Sequence, residues 1–339
     1  MRASVFDTRI TRLFGIRHPI LCGGLMWLAD GRYVAAVVNA GCMGFITARS
    51  FPDVGAFGAE LDVCAALTEG KPFGVNISVS RQPGVNEMLK PHVDLLCERG
   101  VRFVETSGSS PSHILPQLHE AGVKVLHKVP AVRYALAAQR DGVDAIAVVG
   151  AECGGHPGFM MVGSMIQGTL GPMKLDVPVV LGGGIGTGRQ VAAALMMGCD
   201  GVLLGTRMVV SEEIWAHPDY KRRVVEGDGS DSAVVMQLFK RHHRVLDNEA
   251  ARAVMDLERR GVEDFSAYEP HVRGTRTREA YASGDVRQGM LDYGQAACFA
   301  TAVEPVEAIV DGLIDDAAAA MRRFEGLRIG GAPMAAAGE

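Results

Sequence analysis

The residues best suited to chemistry fall in two short stretches. Residues 144–158 read Asp-Ala-Ile-Ala-Val-Val-Gly-Ala-Glu-Cys-Gly-Gly-His-Pro-Gly. The apolar, β-branched first half has the pattern of a strand buried on both faces. It breaks into Gly154 and Gly155 and delivers His156 just past the strand end. A histidine, with an ordinary pKa of about 6.5, can take or share a proton near neutral pH. His156 can therefore be a base or substrate orienter, a turn cap, or a metal ligand. A catalytic zinc site needs about three protein ligands, and no second His or Cys stands at ligand spacing, so no metal is expected. Cys153 beside the glycines fits close packing. The second stretch, Val179-Val-Leu-Gly-Gly-Gly-Ile-Gly-Thr-Gly-Arg-Gln, has a buried strand, a glycine cluster with Gly183 and Gly184, then a helix start. Backbone N–H groups and the helix dipole at such a junction suit a phosphate. Leu204-Gly-Thr-Arg, with Gly205 and Thr206, adds donors and a cation. The alternative is a pair of tight turns that only pack helix on strand.

Smaller signals sit at other predicted strand ends. Gly23 and Gly24 in Cys22-Gly-Gly-Leu-Met, with Met26, would let a flat ring approach the backbone. The Asn76 amide can both donate to and accept from a heterocycle edge. Thr106-Ser-Gly ends a fourth strand, and Lys128 ends a fifth, where an ammonium is unusual unless it meets an anion or an electron-rich ring. Asn76 and Lys128 could equally form a structural polar network. His242-His243 lies in a charged stretch and is expected to be solvated. Neither a Walker loop nor a Gly-x-Ser-x-Gly elbow is present.

The elements that must position these residues repeat one pattern. Glycines 41, 100, 122, 142 and 198 each follow a helical stretch and precede a small apolar residue and a strand. Glycine suits the left-handed position just past a helix end, and repeated helix, glycine, strand predicts parallel βαβ units. Strands are predicted near 19–24, 42–47, 72–79, 102–107, 124–129, 144–150, 178–183 and 201–205. Helices are predicted near 31–40, 53–69, 84–99, 112–121, 131–141 and 187–198. Eight strands in this length predict a TIM (β/α)8 barrel. An open doubly wound sheet is the alternative, but no Gly-x-Gly-x-x-Gly follows the first strand. Residues 209–290 are charge-rich and predict a mostly helical insertion on the substrate side. A long apolar helix over 292–325 then completes the barrel, so residues 1–208 and 291–326 form one domain. The stretch 327–339 is expected to be a flexible tail.

Bulk properties exclude several classes. With 48% hydrophobic and 22% charged residues over 339 positions, the chain is globular. A net charge of −5 with scattered Lys and Arg gives no footprint for nucleic acid. Seven dispersed cysteines without a Cys-x-x-Cys pair suggest reduced thiols in a cytoplasmic protein. Arg2, Asp7, Arg9 and Arg12 argue against a signal peptide, and no apolar run is long enough for a membrane span.

Together Glu152-Cys-Gly-Gly-His-Pro-Gly, the Gly-Gly-Gly-Ile run at 182–185, Leu204-Gly-Thr-Arg and Pro19-Ile-Leu-Cys-Gly-Gly resemble the nitronate monooxygenase family. Ala280-Tyr-Ala-Ser-Gly-Asp-Val-Arg-Gln-Gly-Met and Gly294-Gln295 extend the likeness over most of residues 8–310. The resemblance implies a TIM barrel that holds FMN non-covalently. Carried onto this chain, the phosphate falls on Gly183, Gly184, Gly205 and Thr206. The ring lies near Gly23, Gly24 and Met26, its polar edge near Asn76 and Lys128, and Cys153, Gly154 and Gly155 lie beside it. His156 is then the base or substrate orienter. The implied reaction oxidises an alkyl nitronate with dioxygen. Relatives on the same scaffold include NAD(P)H-dependent quinone reductases and enoyl reductases, and a non-catalytic flavin-binding protein is a third alternative.

Overall fold

The computed structural model describes residues 4–80 and 86–327. The expected tail lies outside these residues apart from Leu327. Eight parallel strands close into a barrel in sequence order: β1 (Ile20–Cys22), β2 (Met43–Thr47), β3 (Gly74–Val79), β4 (Phe103–Gly108), β5 (Lys124–Val129), β6 (Ala145–Val149), β7 (Val179–Gly182) and β8 (Gly201–Leu204). Pairing of β1 with β8 in register Leu21–Leu203 completes the ring. The fold is the TIM barrel that the sequence predicts.

Helix α1 (Arg9–Phe14) precedes β1. The first seven strands are followed in turn by α2 (Gly31–Asn39), α3 (Val54–Leu67), α4 (Leu89–Glu98), α5 (Leu115–Glu120), α6 (Val132–Asp141), α7 (Ser164–Lys174) and α8 (Gly188–Met196). The recurrent glycines end helices as expected. Residues 41, 100, 122, 142 and 198 all have φ between 67° and 98°. At each, the glycine N–H reaches the carbonyl three residues back, as in Gly41 to Val38 at 2.9 Å. The next N–H reaches five back, as in Cys42 to Val37 at 3.1 Å. This pair of bonds satisfies two orphan carbonyls and turns the chain into the following strand.

Three local expectations need correction. Helix α7 is absent from the sequence-predicted set because Gly168, Gly171 and Pro172 lower its intrinsic propensity. Tertiary packing overrides that cost: a methyl at Gly168 would lie 2.8 Å from Leu181, and one at Gly171 2.9 Å from Val179. The glycines let the helix lie on its strands. The expected helix over 292–325 starts only at α13 (Val306–Gly326), after Pro305 and a single 3₁₀ stretch at Gln295–Phe299. It packs on α8 and α2, the place of the eighth barrel helix.

The stretch between β8 and α13 holds the helices α9 (Pro218–Val225), α10 (Glu249–Arg259), α11 (Glu269–Val272) and α12 (Gly274–Ser283), joined by long irregular segments. It also holds an antiparallel ribbon of β9 (Ser232–Val235) and β10 (His243–Leu246), which the sequence reading lacks. The ribbon and α10 have their own small core, with Val235, Val245, Val254 and Tyr268 fully buried.

Inside the barrel, Leu21, Met43, Phe45, Phe103, Leu126 and Val180 fill the interior. Helix α1 closes the N-terminal end, with Phe14 edge-on to Phe103 at 4.9 Å. That leaves the C-terminal end as the open face, where barrel active sites form. Among the described residues, no helix is long and apolar enough to cross a membrane.

One buried group on β5 gives the fold a pH dependence. His127 is 3% exposed, and its Nδ1 lies 2.8 Å from Thr106 Oγ1. Burial pushes its pKa down to about 4. The unfolded chain, titrating near 6.5, then binds more protons than the folded one, so stability falls as pH drops from about 6.5 to about 4, by roughly 3 kcal/mol from this group. Urea unfolding from pH 7 to pH 4 is expected to show a falling midpoint, with a shallower slope in His127→Gln. An identical slope in the variant rejects this account.

Candidate active site

A cavity of about 540 Å³ opens at the C-terminal ends of the strands, and all thirteen residues singled out from sequence line it. Gly23, Gly24 and Met26 follow β1; Asn76 lies on β3 and Lys128 on β5. Cys153, Gly154, Gly155 and His156 follow β6, Gly183 and Gly184 follow β7, and Gly205 and Thr206 follow β8. Parallel strands make this convergence unavoidable, because every strand end delivers its loop to the same rim. The volume lies within the usual range for small-molecule sites, about 300–1,000 Å³.

Sequence reasoning missed a buried group just beneath the cavity floor. Glu105, on β4, is fully buried. Its Oε2 accepts from the Gly24 N–H at 3.0 Å and from Asn76 Nδ2 at 2.5 Å. Lys128 Nζ lies 3.3 Å from Oε1, which has no well-aligned hydrogen-bond donor. Asn76 and Glu105 are direct strand partners. The available signal was a lone acid inside the apolar run Phe103-Val-Glu, a position that a buried strand fills only when the charge is partnered. Gly24 is small for the same reason: a methyl there would collide with Asn76.

The glycine loops after β6 and β7 have packing roles that the sequence did not show. A methyl on Gly154 would sit 2.7 Å from Gly294 N, so two backbones meet there. Gly155 has φ +82° and forms an antiparallel bridge with Arg244 of β10, with N–H to O distances of 2.9 and 2.7 Å. A methyl on Gly183 would meet the Gly150 carbonyl at 2.8 Å. Glu152 caps α7 through Ser164, accepting its N–H at 3.0 Å and its hydroxyl at 2.6 Å. The helix-dipole part of the phosphate reading changes. Helix α8 is capped by its own Thr187–Gln190 box, and the Asp316 carboxylate accepts from Arg189 N at 2.9 Å. Its first turn is therefore already served, and the cavity meets the preceding loop instead. Gly205 is open, with no atom closer than 3.9 Å to a methyl built on it. Thr206 Oγ1 accepts from Gly294 N at 2.9 Å. Arg207 does not supply the expected cation: it is 8% exposed and pairs with Glu304 at 3.0 Å.

His156 lies at the cavity wall with its side chain exposed. Behind it His243 stacks, with ring centroids 4.4 Å apart and planes 14° from parallel. His243 Nε2 is 2.6 Å from Asp292 Oδ1. His243 is therefore not solvated as expected; β10 folds back to the β6 loop and brings it in. Enclosure by surrounding protein atoms, then the neighbouring His243, lower the His156 pKa from its ordinary value, against the opposite pull of Asp292. Water in the cavity screens this effect, and a ligand that displaces the water strengthens it. Burial also raises Asp292, but the hydrogen bond and charge of His243 outweigh it and hold the carboxyl below its ordinary value. The Cys153 thiol is pushed up to about 12 by burial and stays protonated at neutral pH, which makes it a poor nucleophile. Among the described residues, no group of three His, Cys, Asp or Glu side chains could hold a metal.

The family model for nitronate monooxygenase matches residues 7–316. The chain belongs to that family. Nitronate monooxygenase family membership makes it an oxidoreductase on a TIM barrel. The chain is similar to a 5-hydroxy-7a-methyl-1-oxo-octahydro-1H-indene-4-carboxyl-CoA dehydrogenase from Rhodococcus jostii, 31% identical over 74% of this chain and 69% of that protein. It is 28% identical to a probable nitronate monooxygenase from Staphylococcus saprophyticus, over 72% of this chain and 79% of that protein. The solved structure of FabK from Thermotoga maritima matches with a TM-score of 0.88 at 30% identity, covering 96% of this chain and 100% of that one.

In this member of the nitronate monooxygenase family, Glu105 holds the floor of the site together. Breaking a buried ion pair from one side typically costs about 3–5 kcal/mol, and Lys128, partly accessible from the cavity, softens that. Glu105→Leu is therefore expected to lower unfolding stability by about 2–4 kcal/mol. Glu105→Gln, which keeps an acceptor for Gly24 and Asn76, is expected to lose less. Urea midpoints for the two variants check this; equal losses would show that the charge contributes nothing.

Proposed function

We propose that this protein is an FMN-dependent oxidoreductase whose site oxidises an alkyl nitronate with dioxygen. The observation that carries the reading is the convergence of a glycine-lined wall, a polar edge and a histidine on one cavity. Gly183, Gly184, Gly205 and Thr206 would hold the phosphate, where Gly205 leaves open space. Gly23, Gly24 and Met26 would flank the ring, and Asn76 and Lys128 would meet its polar edge. Cys153, Gly154 and Gly155 would lie beside it. The buried Glu105 Oε1 and the Lys128 ammonium support a polar group at this edge. FMN supplies an electron acceptor that dioxygen can reoxidise.

The chain's own contribution is to bind, orient and exclude water. We take residues 1–208 with 291–326 as the unit that holds the cofactor, and 209–290 as the substrate-side unit. Lys128, Lys240 and Arg241 line the same cavity as His156, beside the carboxylates of Glu152 and Asp292, and these cations suit an anionic substrate such as a nitronate. His156, neutral at physiological pH, can accept a proton or a hydrogen bond at its ring nitrogen without opposing that anion's charge balance.

A second reading, an NAD(P)H-dependent quinone or enoyl reductase, is favoured by one observation: the FabK likeness spans nearly the whole chain at 30% identity. Anaerobic mixing separates the two. Bleaching of the flavin absorbance by an alkyl nitronate, and not by NAD(P)H, is expected; the reverse result transfers the assignment to the reductase. Protein that neither carries a flavin nor takes up added FMN rejects both. His156→Asn is expected to retain FMN and lose at least about tenfold in kcat, the lower range for a missing proton-transfer group being about 10²-fold when transfer limits the rate. Unchanged turnover returns His156 to a turn cap.

A further inference from the structure

The histidine at the cavity wall is held from behind by a second histidine that the cavity does not reach. Three backbone segments make this arrangement. Gly155 pairs with Arg244, and Val245 pairs with Asp292, so one edge of β10 meets both the β6 loop and the 292 segment while β9 holds the other. Arg244 fastens the same junction with its side chain, Nε donating to the Ala151 carbonyl at 3.1 Å and Nη1 to Ser232 Oγ at 2.9 Å. His243 projects from that strand onto the face of His156, and its Nε2 meets the Asp292 carboxylate at 2.6 Å. The carboxylate at that distance fixes the orientation of the His243 ring through Nε2. A proton added to His156 would meet that ring face to face at 4.4 Å, an arrangement that disfavours it. We propose that His243, oriented by Asp292, is a positioning residue that turns the His156 ring to the cavity and keeps it neutral. The role assigned to His156 rests on the function proposed above; the geometry of the pair does not.

Other charged groups share this environment. Lys128 on β5 works in the same direction as His243, and Asp292 works against both. The loop before β10 adds Lys240, Arg241 and His242 to the cavity wall, and α12 adds Tyr281. Of these, only His243 is in face-to-face contact with the ring, so its removal should have the larger effect on His156.

The test uses the full chain and reads His156 directly. The His156 ring signals are assigned by comparison with His156→Asn and followed by NMR from pH 8 to pH 4. The titration is repeated in His243→Phe, which keeps a stacked ring without charge, and in His243→Gln, which can still donate to Asp292. The expected result is a rise of about tenfold or more in the proton affinity of His156 in both variants, one pH unit in midpoint. A midpoint that stays where it is in the parent protein overturns the proposal, as does a parent midpoint already near 6.5. In the flavin-loaded enzyme, the acid limb of kcat is expected to move up by the same interval, with KM little changed. Should His156→Asn keep full turnover, the kinetic reading of His156 fails while the NMR comparison still decides the role of His243.

Discussion

A carboxylate buried without water must be surrounded by donors, and Glu105 is surrounded at the mouth of the barrel. Its partners come from the loop after β1, from β3 and from β5. One side chain on β4 thus ties together three other parts of the sheet at the level where the cavity begins. The Gly24 turn cannot shift without losing a charge-assisted hydrogen bond, and Asn76 and Lys128 cannot rotate freely without stranding a charge. The polar edge proposed for the cofactor is therefore preorganised by a group that itself lies below the cavity floor. This is the rigid support that a positioned site needs.

On top of that floor sits a wall supplied by a different part of the chain. The β10 strand adds itself to the β6 loop through Gly155, and Asp292 and Gly294 close against the same loop from the other side. His156 is a barrel residue by sequence, yet its chemistry is set by neighbours about ninety to one hundred and forty positions later, His243 and Asp292. The site thus has two contributors of unlike character: strand ends of fixed spacing below, and a ribbon with its own small core above.

The legible parts of this structure are the local ones. Glycines at helix ends signal a left-handed residue whatever the rest of the fold does, so the strand order and the barrel could be anticipated from Gly41, Gly100, Gly122, Gly142 and Gly198. The thirteen residues assigned to the site reached the cavity, because parallel closure sends all such strand ends to one face, whereas Arg207 turned to Glu304. The misses required contacts between distant segments. Helix α7 depends on Gly168 and Gly171 fitting against β7, which its own propensity argues against. The ribbon pairs with a loop rather than with a predicted strand, so His243 looked like one charge among many. Glu105 was visible as an anomaly in an apolar strand, but its meaning depended on knowing that Asn76 lay beside it.

The contact between Gly154 and Gly294 has a consequence for how this site can diversify. Neither position tolerates a side chain, since a methyl on Gly154 would sit 2.7 Å from Gly294 N and one on Gly294 would strike Gly154 N. The β6 loop and the returning segment are welded at that point, and a change in the path of one demands a change in the other. The loop from Met236 to His242 lies outside that seam; it borders the cavity with Lys240, Arg241 and His242 and is anchored instead on the ribbon's own core through Phe239. Substrate preference can therefore drift by exchange of that loop alone, while the glycine weld keeps the histidine in register with the barrel. Divergence within this architecture should concentrate in the rim and spare the seam.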